Sequence, residues 1–495
     1  MRFCFDNFDF AAHSVSPDKK AIIGSNSNIT WLEFSKKVAD LIVFLEKQNW
    51  HKTASPIIIY GHKQTEMIIA FYACMKLGIP YVPIDIAYPK DRILKVIDAS
   101  KSQRLINCTT ETLEWNSMAE INWEADQWNI SKNTNELISV APLSDPLVYL
   151  IFTSGSTGEP KGVQISRSAI QTFVRWMSHD FGFTTDAIFT NVAVFSFDLS
   201  VFEVMTFSSL GATLLLNENA VVEDPSKLLN RIEEFAGTIL VATPSYAIRL
   251  IRMEAEAKKS PLAYFLFCGE VLPHQLAKTL KKLYDKATIF NTYGPTEATV
   301  ASTFIEIDEK IIDTYNPLPV GFSKPESELL LEDEEIVIVG DNVSLGYVNR
   351  PDLNEQKFFN SNGKRAFRTG DLGYFLDGML FCKGRNDDQI KLHGYRIELN
   401  EITAKLNEID FIFQAETIAL RRNDEVKKVV SLVQLDASKI EDIADFKKTI
   451  ISHLSKNLPQ YMIPSDFKQV DNIPLNQNGK SDKKELERLY LSKEN

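Results

Sequence analysis

The run IFTSGSTGEPKGV over residues 151–163 concentrates groups that bind phosphate. Gly155, Gly158 and Gly162 let the backbone bend and approach an anion, Thr153, Ser154, Ser156 and Thr157 offer hydroxyl donors, and Lys161 adds a positive charge. The apolar VYLIF that leads into the run reads as a strand holding the loop at its end. Together these residues predict a nucleotide site. The order differs from the Walker pattern, in which a Gly-Lys pair is followed by Ser or Thr, because Lys161 follows Pro160 and precedes Gly162. A solvated Gly/Ser linker is the plain alternative, and an ordered Pro-Lys-Gly end behind an apolar strand argues against it.

The bulk composition narrows the partners. A net charge of -12 over 495 residues disfavours a polyanion such as nucleic acid, which needs clustered Lys and Arg, and favours a small substrate or a protein partner. The five cysteines, Cys4, Cys74, Cys108, Cys268 and Cys382, are far apart and odd in number, so neither a disulfide framework nor a zinc site is indicated and a reducing compartment is expected. Asp6 and Asp9 interrupt what a secretory signal would need as an apolar core, and no window of about 18 residues lacks charge. The expectation is a cytoplasmic protein that is not embedded in a membrane. The seven scattered histidines lack metal-cluster spacing, so any metal is expected to be held by carboxylate and phosphate.

These groups need elements to position them. Apolar runs of strand length at 56–60, 213–216 and 239–243 alternate with helical patterns at 66–75, 226–235 and 273–283, which predicts an α/β fold with mainly parallel sheets. The polar stretch 109–136 reads as a surface connection. From Glu335 the texture changes to short β-like segments, EIVIVG, GMLFCKGR and DQIKLHG, which predict a β subdomain over about 318–386. Helical patterns at 398–407 and 443–458 and the strand-like VVSLVQL at 429–435 then predict a small α+β domain. The expected division is 1–386 and 387–495, with the two domains able to close on one another.

Six further segments stand in order: FSFDLSVFEV at 195–204, FCGEVLP at 267–273, NTYGPTEATV at 291–300, RTGDLG at 368–373, GRNDDQIKLHGYRIE at 384–398 and NQNGKSDKKEL at 476–486. With the glycine loop, this set resembles the adenylate-forming superfamily of acyl-CoA synthetases and amino-acid adenylation domains over nearly the whole chain. The resemblance implies a large N-terminal domain, a small mobile C-terminal lid, and attack of a carboxylate on the α-phosphorus of ATP with loss of pyrophosphate. Such a reaction brings two anions together and calls for cations and fixed donors.

By this resemblance Lys480, in the turn Asn478-Gly479-Lys480, is the catalytic cation, although beside Lys483 and Lys484 it would otherwise read as one surface lysine among several. Tyr293 is expected to stack on adenine, Asn291 to meet its edge, Thr296 to reach the α-phosphate and Glu297 to hold Mg2+. Gly269, Glu270, Thr292 and Gly294 are expected to complete the nucleotide site. Asp371 is expected to accept the ribose hydroxyls, with Arg385 near the same sugar; a surface ion pair is the plainer fate for either. Asp387 matches the hinge about which the lid rotates between two half-reactions, and Asp388 follows it where relatives often carry an aromatic or histidine.

Asp198 bears on substrate class, since a buried carboxylate would pair with an α-ammonium and repel a plain acid. Amino-acid-activating relatives have Asp here; an N-cap for the helix after it is the alternative. Cys268 stands where most peptide-synthetase adenylation domains place glycine, whereas the D-alanine:carrier-protein ligases of the superfamily have FCGE. With Val300 lining the same pocket, the thiol would favour a small substrate and could press against the wrong enantiomer. The resemblance therefore implies a small amino acid, D-alanine, and a phosphopantetheine thiol on a separate carrier protein. A free-standing peptide-synthetase adenylation enzyme is the second expectation. A catalytically inactive nucleotide-binding homologue is the third, and the presence of Lys480, Glu297 and Asp371 argues against it.

Overall fold

The computed structural model of the chain describes residues 15–25, 27–52, 55–111, 113, 118–124, 127–132, 145–155, 159–254, 260–385, 387, 389–422, 425–436, 446–474 and 481–492. It divides into two compact units. The first comprises Met1–Ile86, Ile97–Ile151 and Gly162–Gly384, and the second Ala87–Val96, Phe152–Lys161 and Arg385–Asn495. The division in sequence falls after Gly384, and two short segments that the sequence reading kept within 1–386 group instead with the C-terminal part.

Two sheets dominate the first unit. One has nine strands in the spatial order Phe322–Ser323, Thr303–Glu306, Thr288–Tyr293, Tyr264–Phe267, Ile239–Ala242, Ile188–Thr190, Thr213–Leu215, Lys20–Ile23 and Asn28–Thr30. Its six central strands run parallel, and antiparallel strands close both edges. The other is a seven-stranded sheet containing Ile57–Gly61, Tyr81–Asp85 and Arg104–Asn107, again parallel at its centre. Strands such as IIIYG and ILVA are buried along their whole length, as expected where helices cover both faces of a parallel sheet.

Helix Thr65–Leu77 packs on strand Ile57–Gly61 of the seven-stranded sheet, and helix Leu199–Leu210 on strands Ile188–Thr190, Thr213–Leu215 and Ile239–Ala242 of the nine-stranded one. All twelve residues of Leu199–Leu210 are buried, and Tyr72 Oη donates to Val204 O at 2.6 Å to join the two helices. Local signals set the helix ends: Asp224 accepts from the Ser226 and Lys227 amides at the start of Pro225–Glu234, with proline at the first position.

One expectation is overturned. Within 109–136, the segments Ala119–Glu124 and Gln127–Lys132 form an antiparallel hairpin, and Ala119–Glu124 extends the seven-stranded sheet by pairing with Arg104–Asn107. The outer strand buries only Trp128, whose ring lies 4.8 Å from that of Trp123. An edge strand solvated along most of its length carries little apolar alternation, so its sequence looks like a loop.

A five-stranded sheet, in which Ser327–Glu332, Glu335–Gly340, Lys364–Leu376 and Phe358–Ser361 pair antiparallel in that order, forms the β part of the first unit. In the second unit, Ile412–Arg422, Glu425–Leu435 and Asp466–Gln469 make a three-stranded sheet. Helices Leu399–Asn407 and Phe446–Asn457 share its core through Ile402, Leu406, Ile450 and Leu454.

Candidate active site

In the nine-stranded sheet, Ile188–Thr190 connects onward to its neighbour Thr213–Leu215, while Ile239–Ala242 on its other side connects toward Tyr264–Phe267. The connections leave these adjacent strands in opposite directions and open a crevice at their carboxyl ends, the usual place for a ligand in a parallel sheet. Asp198, Cys268, Gly269, Glu270 and the segment from Gly294 to Val300 all follow the carboxyl ends of strands in this set.

Asp198 precedes helix Leu199–Leu210 with helical backbone angles, and its side chain makes no cap bond, so the N-cap alternative does not hold. The residue is 7 % exposed, and its charge joins burial in pushing the Tyr149 phenol well above its ordinary range. Cys268 is buried and its Sγ lies 3.8 Å from Val300 O. Thr299 and Val300 have φ of 57° and 69°, a left-handed conformation that costs a β-branched residue about 1–3 kcal/mol. Neighbours hold them there: Thr299 Oγ1 donates to Asn342 O at 2.6 Å, and Asn342 Nδ2 donates to Ala298 O and Ser302 Oγ. Gly294 packs so closely on this segment that a Cβ would stand 2.5 Å from Ala301 Cα.

Asn291 Nδ2 donates to Pro319 O at 2.7 Å, which leaves its Oδ1 buried with no hydrogen-bond partner. A buried orphan acceptor suits a ligand amine. The Thr292 hydroxyl donates to Phe267 O and ties two strands together. The Tyr293 ring packs among Ala298, Ile336, Ile338 and Phe367, and its hydroxyl donates to Asp371 Oδ2 at 2.7 Å, with burial and the Asp371 charge pushing the phenol well up. The two residues expected to hold the base and the sugar are thus bonded to each other, with the Tyr293 ring largely inside the β core. Glu270 Oε2 accepts the Ser245 amide in the first turn of helix Pro244–Glu254. Thr296 is buried, and the fully buried Glu297 accepts from Tyr347 Oη at 2.5 Å while its carbonyl accepts from the Ser344 amide.

The second unit contains most of the glycine loop. Ser154 Oγ donates to Arg396 O, the Gly155 amide donates to Glu401 Oε2 at 3.0 Å, and Lys161 Nζ pairs with Glu398 Oε1 at 2.9 Å. Thr153 Oγ1 meets Lys161 O at 3.5 Å. A Cβ on Gly155 would stand 1.9 Å from Glu159 O, so only glycine fits this bend. Arg92 Nη1 pairs with Glu401 Oε1 at 2.7 Å, and burial pushes the Glu401 carboxyl up while Arg92 pulls it down. Lys161 and the Gly155 amide are therefore engaged by two carboxylates and the Ser154 hydroxyl by a carbonyl, which a phosphate bound through the same groups would have to displace. Ser156, Thr157, Gly158 and Lys480 lie outside the described residues, as do Asn478, Gly479 and Asp388. Arg385 Nε and Nη2 each meet an Asp387 oxygen at 2.7 Å, so the plainer alternative of an ion pair applies to Arg385.

Sequence reasoning missed Arg92, Glu398, Glu401, Tyr347 and Asn342. The acids at 398 and 401 are spaced to share a helix face, a faint signal; Arg92, 309 residues from Glu401, gives none.

Residues 9–348 match the family described as AMP-binding enzyme. The chain is 37% identical over 488 residues to the D-alanine--D-alanyl carrier protein ligase of Bacillus cytotoxicus, covering 95% of this chain and 96% of that protein. It is 38% identical, with the same coverage, to the protein of that name in Bacillus cereus (strain B4264). Among solved structures it resembles the Vibrio cholerae adenylation domain AlmE in complex with glycyl-adenosine-5'-phosphate, with a TM-score of 0.81, 19% identity and coverage of 98% of this chain and 97% of that one.

Proposed function

The chain belongs to the AMP-binding enzyme family, and from that premise we propose that it activates D-alanine with ATP and transfers it to the phosphopantetheine thiol of a carrier protein. The names of relatives similar over almost the full length support the substrate and the acceptor. The observation that carries the reading is the buried Asp198 carboxylate, which makes no helix-cap bond, at the switch-point crevice that also receives Cys268. A negative group there favours an ammonium-bearing acid over a plain one.

In the first half-reaction a D-alanine carboxylate oxygen attacks the α-phosphorus, the bond to pyrophosphate breaks, and D-alanyl-AMP forms. Asp198 holds the ammonium, while Cys268 and Val300 limit the space for the methyl group. Asn291 Oδ1 accepts from the adenine amine, and Asp371, with one oxygen already bonded by Tyr293, accepts from the ribose. The donors of the 153–161 loop hold the outer phosphates, and Lys480 stabilises charge between carboxylate and α-phosphate.

Magnesium fits the donor set: Glu297 offers a hard, fully buried carboxylate oxygen, and phosphate oxygens would supply further ligands. When bound, the ion neutralises phosphate charge in the transition state. In the second half-reaction the carrier thiolate attacks the D-alanyl carbonyl and AMP leaves, with rotation about Asp387 between the steps. We place the enzyme in the cytoplasm, where ATP is available; no helix among the described residues is long and apolar enough to cross a membrane.

The test is ATP–pyrophosphate exchange with a panel of amino acids including both alanine enantiomers and glycine, followed by loading of a phosphopantetheinylated carrier. D-Alanine is expected to support the fastest exchange and to appear on the carrier thiol. A preference for any L-amino acid would overturn the assignment.

A further inference from the structure

Lys324 is a buried lysine outside the groups used above. It follows the edge strand Phe322–Ser323, its amide donates to Ser302 O, and its Nζ donates to Ala301 O at 2.7 Å. The ammonium also lies 5.5 Å from the centre of the Phe173 ring and 5.3 Å from that of Trp176. Burying a polar amine costs free energy unless it is hydrogen-bonded, so the bond it donates is expected to matter. That bond ends on the residue after Val300, in the segment where Thr299 and Val300 are left-handed and where Val300 O faces the Cys268 thiol.

We infer that Lys324 is a positioning residue for the amino-acid pocket: by fixing the Ala301 carbonyl it holds Val300 in its left-handed conformation and so sets the distance between the Val300 backbone and Cys268. The inference rests on the reading that Cys268 and Val300 line the D-alanine pocket. Two adjacent residues in a strained conformation relax unless both ends of the segment are held. Asn342 holds the Ala298 end through its Nδ2, and Lys324 holds the Ala301 end. A pocket wall displaced by a fraction of an ångström matters most for the smallest substrates, whose selection depends on a single methyl group.

The variant Lys324→Met keeps the length and the aromatic packing of the side chain and removes the donor. In exchange assays its KM for D-alanine is expected to rise roughly tenfold, and the D- to L-alanine ratio of kcat/KM to fall by a similar factor, with KM for ATP within about twofold of wild type. A general structural role would raise both KM values together, and that outcome overturns the proposal. So does an unchanged ratio in a folded variant.

Lys324→Arg, which keeps the charge but cannot place one nitrogen at the same point, is measured for the same ratio if the methionine variant does not fold, with the same fall expected. Cys268→Gly is run in parallel. If it shifts the ratio and the Lys324 variants do not, Lys324 has no positioning role and the pocket reading stands. If Cys268→Gly leaves the ratio unchanged, the pocket reading itself fails, and the role of Lys324 with it.

Discussion

Replacing Asp198 by asparagine preserves size and removes one charge, which isolates the electrostatic part of substrate recognition. Asp198 is 7 % exposed, so an ammonium paired with its carboxylate would be largely desolvated. Breaking a buried pair by neutralising one partner costs about 3–5 kcal/mol, because the other charge is left uncompensated. At about 1.36 kcal/mol per factor of ten, kcat/KM for D-alanine should fall roughly a hundred- to several-thousand-fold. Most of this should appear in KM, since the ammonium is bound alike in ground and transition states. Stability should move the other way or not at all, because an amide costs less to bury than a carboxylate. The assay is exchange at varied D-alanine, with D-lactate as the acid lacking an ammonium, alongside a thermal melt. In the variant the preference for D-alanine over D-lactate should collapse. A KM for D-alanine within threefold of wild type, in a variant that melts normally, would refute the role of Asp198.

Lys480→Ala should abolish exchange while nucleotide affinity by calorimetry stays within a few-fold of wild type; exchange near the wild-type rate would remove Lys480 from the mechanism. Arg92→Met leaves Glu401 buried without its cation and should destabilise the protein by about 3–5 kcal/mol in denaturant melts, whereas Arg92→Met with Glu401→Leu should recover most of that loss. Burial lowers Lys324 from 10.5 to about 7, opposed by the nearby Glu326, which itself pairs with Arg175. Above pH 7 the unfolded chain therefore binds the proton that the folded chain has released, and wild-type stability should rise with pH. Relative to Lys324→Met, the gain should approach 1.4 kcal/mol per pH unit between about 7 and 10; melts showing a pH-independent difference would contradict the shift.

How much of this was visible in the sequence depended on burial and on sequence distance. Strands Ile57–Gly61 and Ile239–Ala242 were legible because both faces are covered, which forces continuous apolar runs. The hairpin of Ala119–Glu124 and Gln127–Lys132 was not, because an edge strand facing solvent can be polar at nearly every position. Asp198 and Cys268 could be singled out only through the resemblance of FSFDLSVFEV and FCGEVLP to amino-acid-activating enzymes, because a lone acid before a helix or a buried thiol usually has a plain structural role. The Tyr293–Asp371 bond could not, since each residue had a reasonable solo role and only the β sheet's return brings them together. The same holds for the engagement of Lys161 and Gly155 by Glu398 and Glu401: charge counts show that acids are plentiful, not which ones reach the loop.

Helix Leu199–Leu210 has no solvent face, and Asp198 sits at its head. A rod gripped on every side cannot tilt or slide without disturbing the nine-stranded sheet and the helix Thr65–Leu77 that it touches, since close-packed interiors transmit displacement rather than absorb it. The proposed anchor for the substrate's charge is therefore stiff, whereas the proposed pocket wall at residues 299–301 is a strained loop kept in shape by a few replaceable hydrogen bonds. Selection for a different side chain or handedness has an adjustable part to act on at that wall. A change from amino acids to plain acids has none at the helix head and would demand substitution of Asp198 itself.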